Sequence, residues 1–141
     1  MILYVDTSAL VKLYVPEPES ESIQQLVATA EVAAISLVAY AEARTAFARK
    51  RRERAVDLKD YRRIIREFND DWSNYFVVDV TEPLVKRAGQ LAEKHGLRGY
   101  DAIQLSSAVL MREETHQVVS FCCFDERLSR AARREYLKSV F

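Results

Sequence analysis

Two rhythms of apolar and polar positions divide this chain. Short, mostly apolar runs at Ile2–Val5, Val32–Leu37, Phe76–Val80 and Val118–Phe124 read as buried strands. Between them, apolar residues recur every three or four positions, the period of an amphipathic helix. Thr7–Val15 is expected to be helical and to stop before Pro16 and Pro18. Ser20 or Ser22 can cap the next helix, whose stripe is Ile23, Leu26, Val27 and Ala30. A helix over Val38–Arg54 has an apolar first half and a basic second half. Tyr61, Ile64, Ile65, Phe68 and Trp72 mark another, a stripe better suited to packing than to stacking on bases. The helix after Pro83 carries Leu84, Ala88, Leu91 and His95, and Gly96 suits its C-terminal turn. Asp101–Glu113 and Arg127–Leu137 complete the expected helices.

Strands separated by amphipathic helices indicate a parallel sheet covered on both faces. Sites in such sheets lie at the carboxyl ends of the strands, near the switch in strand order. The 141 residues read as one domain, without repeat, low-complexity segment or linker. With 49% hydrophobic residues, three Gly and three Pro, an ordered globular chain is expected. The 21 basic and 21 acidic residues cancel, so only a local basic patch can attract nucleic acid. Cys122 and Cys123 are adjacent and should point to opposite faces of a strand, which disfavours a disulfide between them. The absence of a disulfide framework fits a reducing cytoplasm. The start of the chain lacks a basic signal-peptide region, and the longest uncharged apolar stretch, Val32–Ala41, is too short to span a membrane.

Four carboxylates are oddly placed against this background. Asp6 and Asp125 end apolar strands, while Glu42 and Asp101 lie along helices with apolar neighbours. Taken singly, Asp6, Asp101 and Asp125 can each be a helix cap or a favourable charge at a helix start. Glu42 has only Val38, Ala39, Thr45 and Ala46 at three- and four-residue spacing, which is unlike a solvated face. Charged groups are rarely buried unpaired, so four acids that converge would call for a cation. Oxygen ligands without clustered Cys or His select a hard ion, magnesium or manganese, and such a site suits phosphodiester chemistry. His95 and His116 are not at ligand spacing, and His95 reads as a helix-end or core-edge residue.

The segments Tyr4–Lys12 (YVDTSALVK), Ala39–Glu42 (AYAE), Gly99–Leu105 (GYDAIQL) and Phe124–Leu128 (FDERL) resemble the PIN-domain ribonucleases, most of all the VapC-type toxins of toxin–antitoxin pairs. The resemblance covers nearly the whole chain. It implies a three-layer α/β/α sandwich around a mostly parallel sheet. It also implies a magnesium- or manganese-dependent ribonuclease whose four acidic positions fall on Asp6, Glu42, Asp101 and Asp125. A VapB-type antitoxin and a homodimer follow from the same likeness. The pattern departs at Cys123, where relatives often have Ser or Thr; a thiol is a poor ligand for a hard cation.

On this reading a metal-activated water, rather than the ribose 2′-hydroxyl, attacks phosphorus, leaving a 5′-phosphate and a 3′-hydroxyl. Thr7 and Ser8 are placed to hold a water or a phosphate oxygen. The run Arg49, Lys50, Arg51 and Arg52 is the candidate RNA-binding patch, with Arg44, Arg54 and the group Arg130, Arg133 and Arg134 as further cations. Two alternatives stand beside this one. A receiver-like signalling domain would use Asp79 as phosphoacceptor, and an inert PIN domain would only bind RNA or an antitoxin.

Overall fold

Alternation along the first strand sets the layering. In β1 (Ile2–Val5), Ile2 and Tyr4 enter one core while Leu3 and Val5 enter another, on the opposite face of the sheet. All four residues are buried, as expected of a strand covered on both sides. The computed structural model describes residues 1–141. It adds β2 (Val32–Ser36), β3 (Phe76–Val78), β4 (Val119–Cys122) and β5 (Lys138–Val140) in the order β3-β2-β1-β4-β5. Every pairing is parallel.

Helices α1 (Thr7–Leu10), α2 (Ser20–Thr29), α3 (Ala39–Arg52) and α4 (Leu58–Asp71) cover the face that holds Leu3 and Val5. Their inward residues include Leu10, Ile23, Ala43, Phe47, Ile64 and Phe68. Phe68 meets Tyr14, Phe47 and Trp72 edge-on and stacks on Tyr40, so the Trp72 stripe is core. On the other face, α5 (Glu82–His95), α6 (Gly99–Thr115) and α7 (Glu126–Arg134) bury Leu84, Leu91, Leu105 and Leu128 against Tyr4 and Phe121. The result is the three-layer α/β/α sandwich that the resemblance implies. Cys122 and Cys123 fall in opposite cores, and both are free thiols. No helix is long and apolar enough to cross a membrane.

From β1 the chain steps outward through β2 to β3, then returns to place β4 and β5 on the other side of β1. The switch in strand order therefore lies between β1 and β4, and a crevice is expected beyond their carboxyl ends. Asp6 follows β1 directly, and Asp125 lies just past β4.

Several boundaries differ from the sequence expectation. The helix expected over Thr7–Val15 is a single α turn followed by a 3-10 turn at Val11–Leu13. Helix α6 begins at Gly99, because Arg98 is already extended and marks the break, and it runs on to a left-handed His116. The final helix stops at Arg134, Tyr136 turns the chain with a positive φ of 63°, and a fifth strand follows. That strand, Lys-Ser-Val, has no apolar run to announce it; its order comes from pairing with β4. His95 is nearly fully buried and bonds Glu135 at 2.7 Å, which also receives Lys94 at 2.6 Å, so this histidine ties α5 to the end of α7.

Candidate active site

Asp6 is positioned by its own chain direction. Its backbone is extended, its amide donates to the Cys122 carbonyl, and its carboxylate caps α1 by accepting from the Ser8 amide. Capping and burial coincide here, since Asp6 is only 5% exposed. The Ser8 hydroxyl donates to the same oxygen at 2.8 Å and accepts from the Phe124 amide at 3.1 Å. Ser8 thus clamps the end of β1 to the end of β4, across the switch point.

Glu42 lies in the first turn of α3, beside the buried stripe of Ala39, Ala43 and Phe47. One of its oxygens accepts from the Thr7 hydroxyl at 2.9 Å and from the Gln104 amide at 2.8 Å. Gln104 is 1% exposed, also donates to Thr7, and accepts from the buried Tyr4 hydroxyl at 2.6 Å. The sequence reading missed it as a site residue. A glutamine among Leu105 and Ala108 on a buried helix face, three positions after Asp101, was the available signal.

Asp101 sits in the first turn of α6, half-buried, with Arg98 3.8 Å away. Asp125 caps α7 by accepting from the Leu128 amide at 3.0 Å. The four acids share one electrostatic neighbourhood. Burial first, then the charges of Glu42 and Asp101, push the Asp6 carboxyl up to about 6, against the opposing Ser8 hydrogen bonds. Burial also raises Asp101, as does the charge of Asp125, with Arg98 opposing both. Despite this proximity, no three acidic, His or Cys side chains converge as a ready ligand set. Glu42 and Asp125 are each held by hydrogen bonds of their own, and the expected convergence appears as a shared field rather than closed coordination.

The donor set still fits a hard cation. Every candidate ligand atom is a carboxylate or hydroxyl oxygen, and a buried acid surrounded by like charge lacks a counter-charge. Cys123 does not compete: burial, and then the charge of Asp6, push its thiol up to about 12. Its sulfur accepts from the Asp125 amide at 3.2 Å and so shapes the turn that presents this acid.

The basic run divides. Arg49 lines an opening with Thr7, Glu42, Thr45 and Tyr100, next to the acids. Lys50 instead pairs with Glu17 at 3.0 Å. Arg51 lies over the Tyr61 ring at 5.6 Å, and Arg52 lines a separate recess with Tyr40 and Arg44. Helical geometry explains the split, because successive residues are turned by about a hundred degrees around the axis.

The receiver alternative fails on this fold. Asp79 is exposed, follows the edge strand β3 and accepts a bond from the Val80 amide. The acids at the switch point are Asp6 and Asp125 instead.

Comparison with known proteins agrees with the fold. The PIN-domain family model matches residues 3–134. Ribonuclease VapC45 of Mycobacterium tuberculosis (strain CDC 1551 / Oshkosh) is 34% identical over 108 residues, covering 77% of this chain and 75% of that protein. Among solved structures, FitAcB from Neisseria gonorrhoeae superposes with a TM-score of 0.70 at 15% identity, covering 99% of this chain and 97% of that one. A toxin–antitoxin complex from Klebsiella pneumoniae gives 0.63 at 22% identity, covering 89% and 87%. At such identities the two structures speak for the fold, while the family match and the VapC relative speak for descent. The chain belongs to the PIN-domain family, and within it to the VapC type.

Proposed function

We propose that this chain is a divalent-metal-dependent endoribonuclease, acting as the toxin of a VapBC-type pair. The observation that carries the reading is Asp6, a buried carboxylate without a cationic partner, held at the switch point of the sheet among Glu42, Asp101 and Asp125. The 34% identity to a protein named as a ribonuclease supplies the substrate class.

In this mechanism Asp6, Glu42, Asp101 and Asp125 hold magnesium or manganese, and the chain's own groups set their aim. Ser8 fixes the carboxylate of Asp6. Thr7 and Gln104 both donate to one oxygen of Glu42, Oε1, and so fix its orientation. The Leu128 amide orients Asp125. A bound divalent ion would supply charge neutralisation at the scissile phosphate and a more acidic water. Asp101, half-buried and only loosely paired, faces the cleft where RNA would enter. The expected products carry a 5′-phosphate and a 3′-hydroxyl. Cleavage of total RNA should stop with excess chelator and return with magnesium or manganese. Calcium should serve poorly, because its looser coordination holds reacting groups less strictly. Activity that persists in excess chelator would refute the mechanism.

The notion of a phosphate-attracting run narrows to Arg49. Arg49→Gln should weaken RNA binding and reduce the salt slope by about one. Lys50→Gln should change both less, since Lys50 is engaged with Glu17. Anisotropy titrations across a salt series check this, and equal losses in the two variants would restore the run as a unit. An antitoxin partner is supported by the fold shared with the toxin–antitoxin complex. Cytoplasmic action and a homodimer belong to the same reading, and sedimentation of the purified chain tests the dimer.

A further inference from the structure

Tyr100 has no place in the mechanism above, yet it stands beside the acids. It is 63% exposed, and its side chain makes no hydrogen bond or ring contact within the chain. It sits in the first turn of α6, one residue before Asp101, so the helix fixes where its ring emerges. Two openings flank it. One, of 620 Å³, is lined by Glu42, Arg98, Tyr100 and Asp101. The other, of 450 Å³, is lined by Thr7, Glu42, Arg49 and Tyr100. Glu42 and Tyr100 are the two residues common to both openings, and each opening has one arginine.

We infer that Tyr100 is a stacking platform for an unpaired base next to the scissile phosphate, with Arg98 and Arg49 receiving the phosphates on its two sides. This rests on the ribonuclease reading and adds the way the strand is held. An aromatic ring between cations is the arrangement that binds single strands, because every base offers a face and every linkage a charge. A duplex cannot use it, since its bases are already stacked on one another. A base held on Tyr100 would set its own phosphate over Asp101, the adjacent residue.

The test measures anisotropy of a short unstructured fluorescent RNA in chelator, and kcat/KM with magnesium. Tyr100→Ala should weaken binding and lower kcat/KM about tenfold, the effect of losing one stacked base. Tyr100→Phe should stay near wild type, because stacking does not need the hydroxyl. An abasic nucleotide beside the cleaved linkage should cost the wild type a similar factor and Tyr100→Ala little more. Affinity for a duplex of the same sequence should be equal in all variants. Wild-type cleavage with Tyr100→Ala unchanged would overturn the stacking role and spare the ribonuclease reading. Equal losses in Tyr100→Phe and Tyr100→Ala would also overturn it, in favour of a role for the hydroxyl. A wild type that neither binds nor cuts RNA would overturn both.

Discussion

Asp6→Asn should abolish RNA cleavage while making the metal-free protein more stable at neutral pH. The two effects have one cause. Folding carries the Asp6 carboxyl from about 3.8 to about 6. Below the lower value both folded and unfolded chains hold the proton, and the group has no net effect. As pH rises through 4 to 6, the unfolded chain releases it first, so stability falls and stays lower at pH 7. A shift of that size corresponds to about 3 kcal/mol, at about 1.4 kcal/mol per pH unit. Asparagine keeps an oxygen for the Ser8 amide and hydroxyl, so the cap of α1 survives and only the charge is lost. Urea unfolding in chelator at pH 7 should show the gain, and the two proteins should converge near pH 4. Cleavage should drop by about a thousandfold or more, the scale of removing a preorganised charge from a reacting centre. A variant that is less stable at pH 7 and still cuts RNA would place the charge of Asp6 outside the site.

Gln104→Leu should damage both fold and activity, though the residue never reaches the cleft surface. Its amide joins three groups, Tyr4, Thr7 and Glu42. Leucine would remove the acceptor that the buried Tyr4 hydroxyl now uses, at a cost of about 1–3 kcal/mol. It would also free Glu42 to swing, and loss of a group that orients a metal-binding carboxylate typically costs about 10–100-fold. Gln104→Glu is the informative companion. It keeps the shape but places another acid against Glu42, so its defect should ease as pH falls. If Gln104→Leu retained full manganese affinity by calorimetry, Glu42 would be held by Thr7 alone.

The sheet and its layering were legible because burial on both faces leaves runs such as Ile2–Val5 that no surface strand would carry. The acids were legible because strand ends and an apolar helix edge are costly places for charge. Other features were not. Lys138–Val140 has no intrinsic strand signal and is ordered by its neighbour β4. Arg49 and Lys50 look equivalent in sequence, but one helical step sends Lys50 to Glu17, a partner that only tertiary structure supplies. Gln104 carries no charge and fits a helix anywhere, so its role emerges only when Tyr4 and Glu42 arrive from distant parts of the chain. The degree of convergence among the acids also lay beyond the sequence, which set Asp6 and Asp125 at strand ends and Glu42 and Asp101 on helices but did not show the hydrogen bonds holding each in its own orientation.

Both outermost strands, β3 and β5, are three residues long, and β5 begins with a lysine. They shelter the longer apolar strands, whose open backbone groups would otherwise invite pairing with other molecules. An all-parallel sheet is slow to assemble, and its strands remain unpaired for longer during folding. Brief, partly charged borders therefore give a protein of zero net charge, which has little mutual repulsion to keep its copies apart, a built-in resistance to growing into fibrils edge by edge.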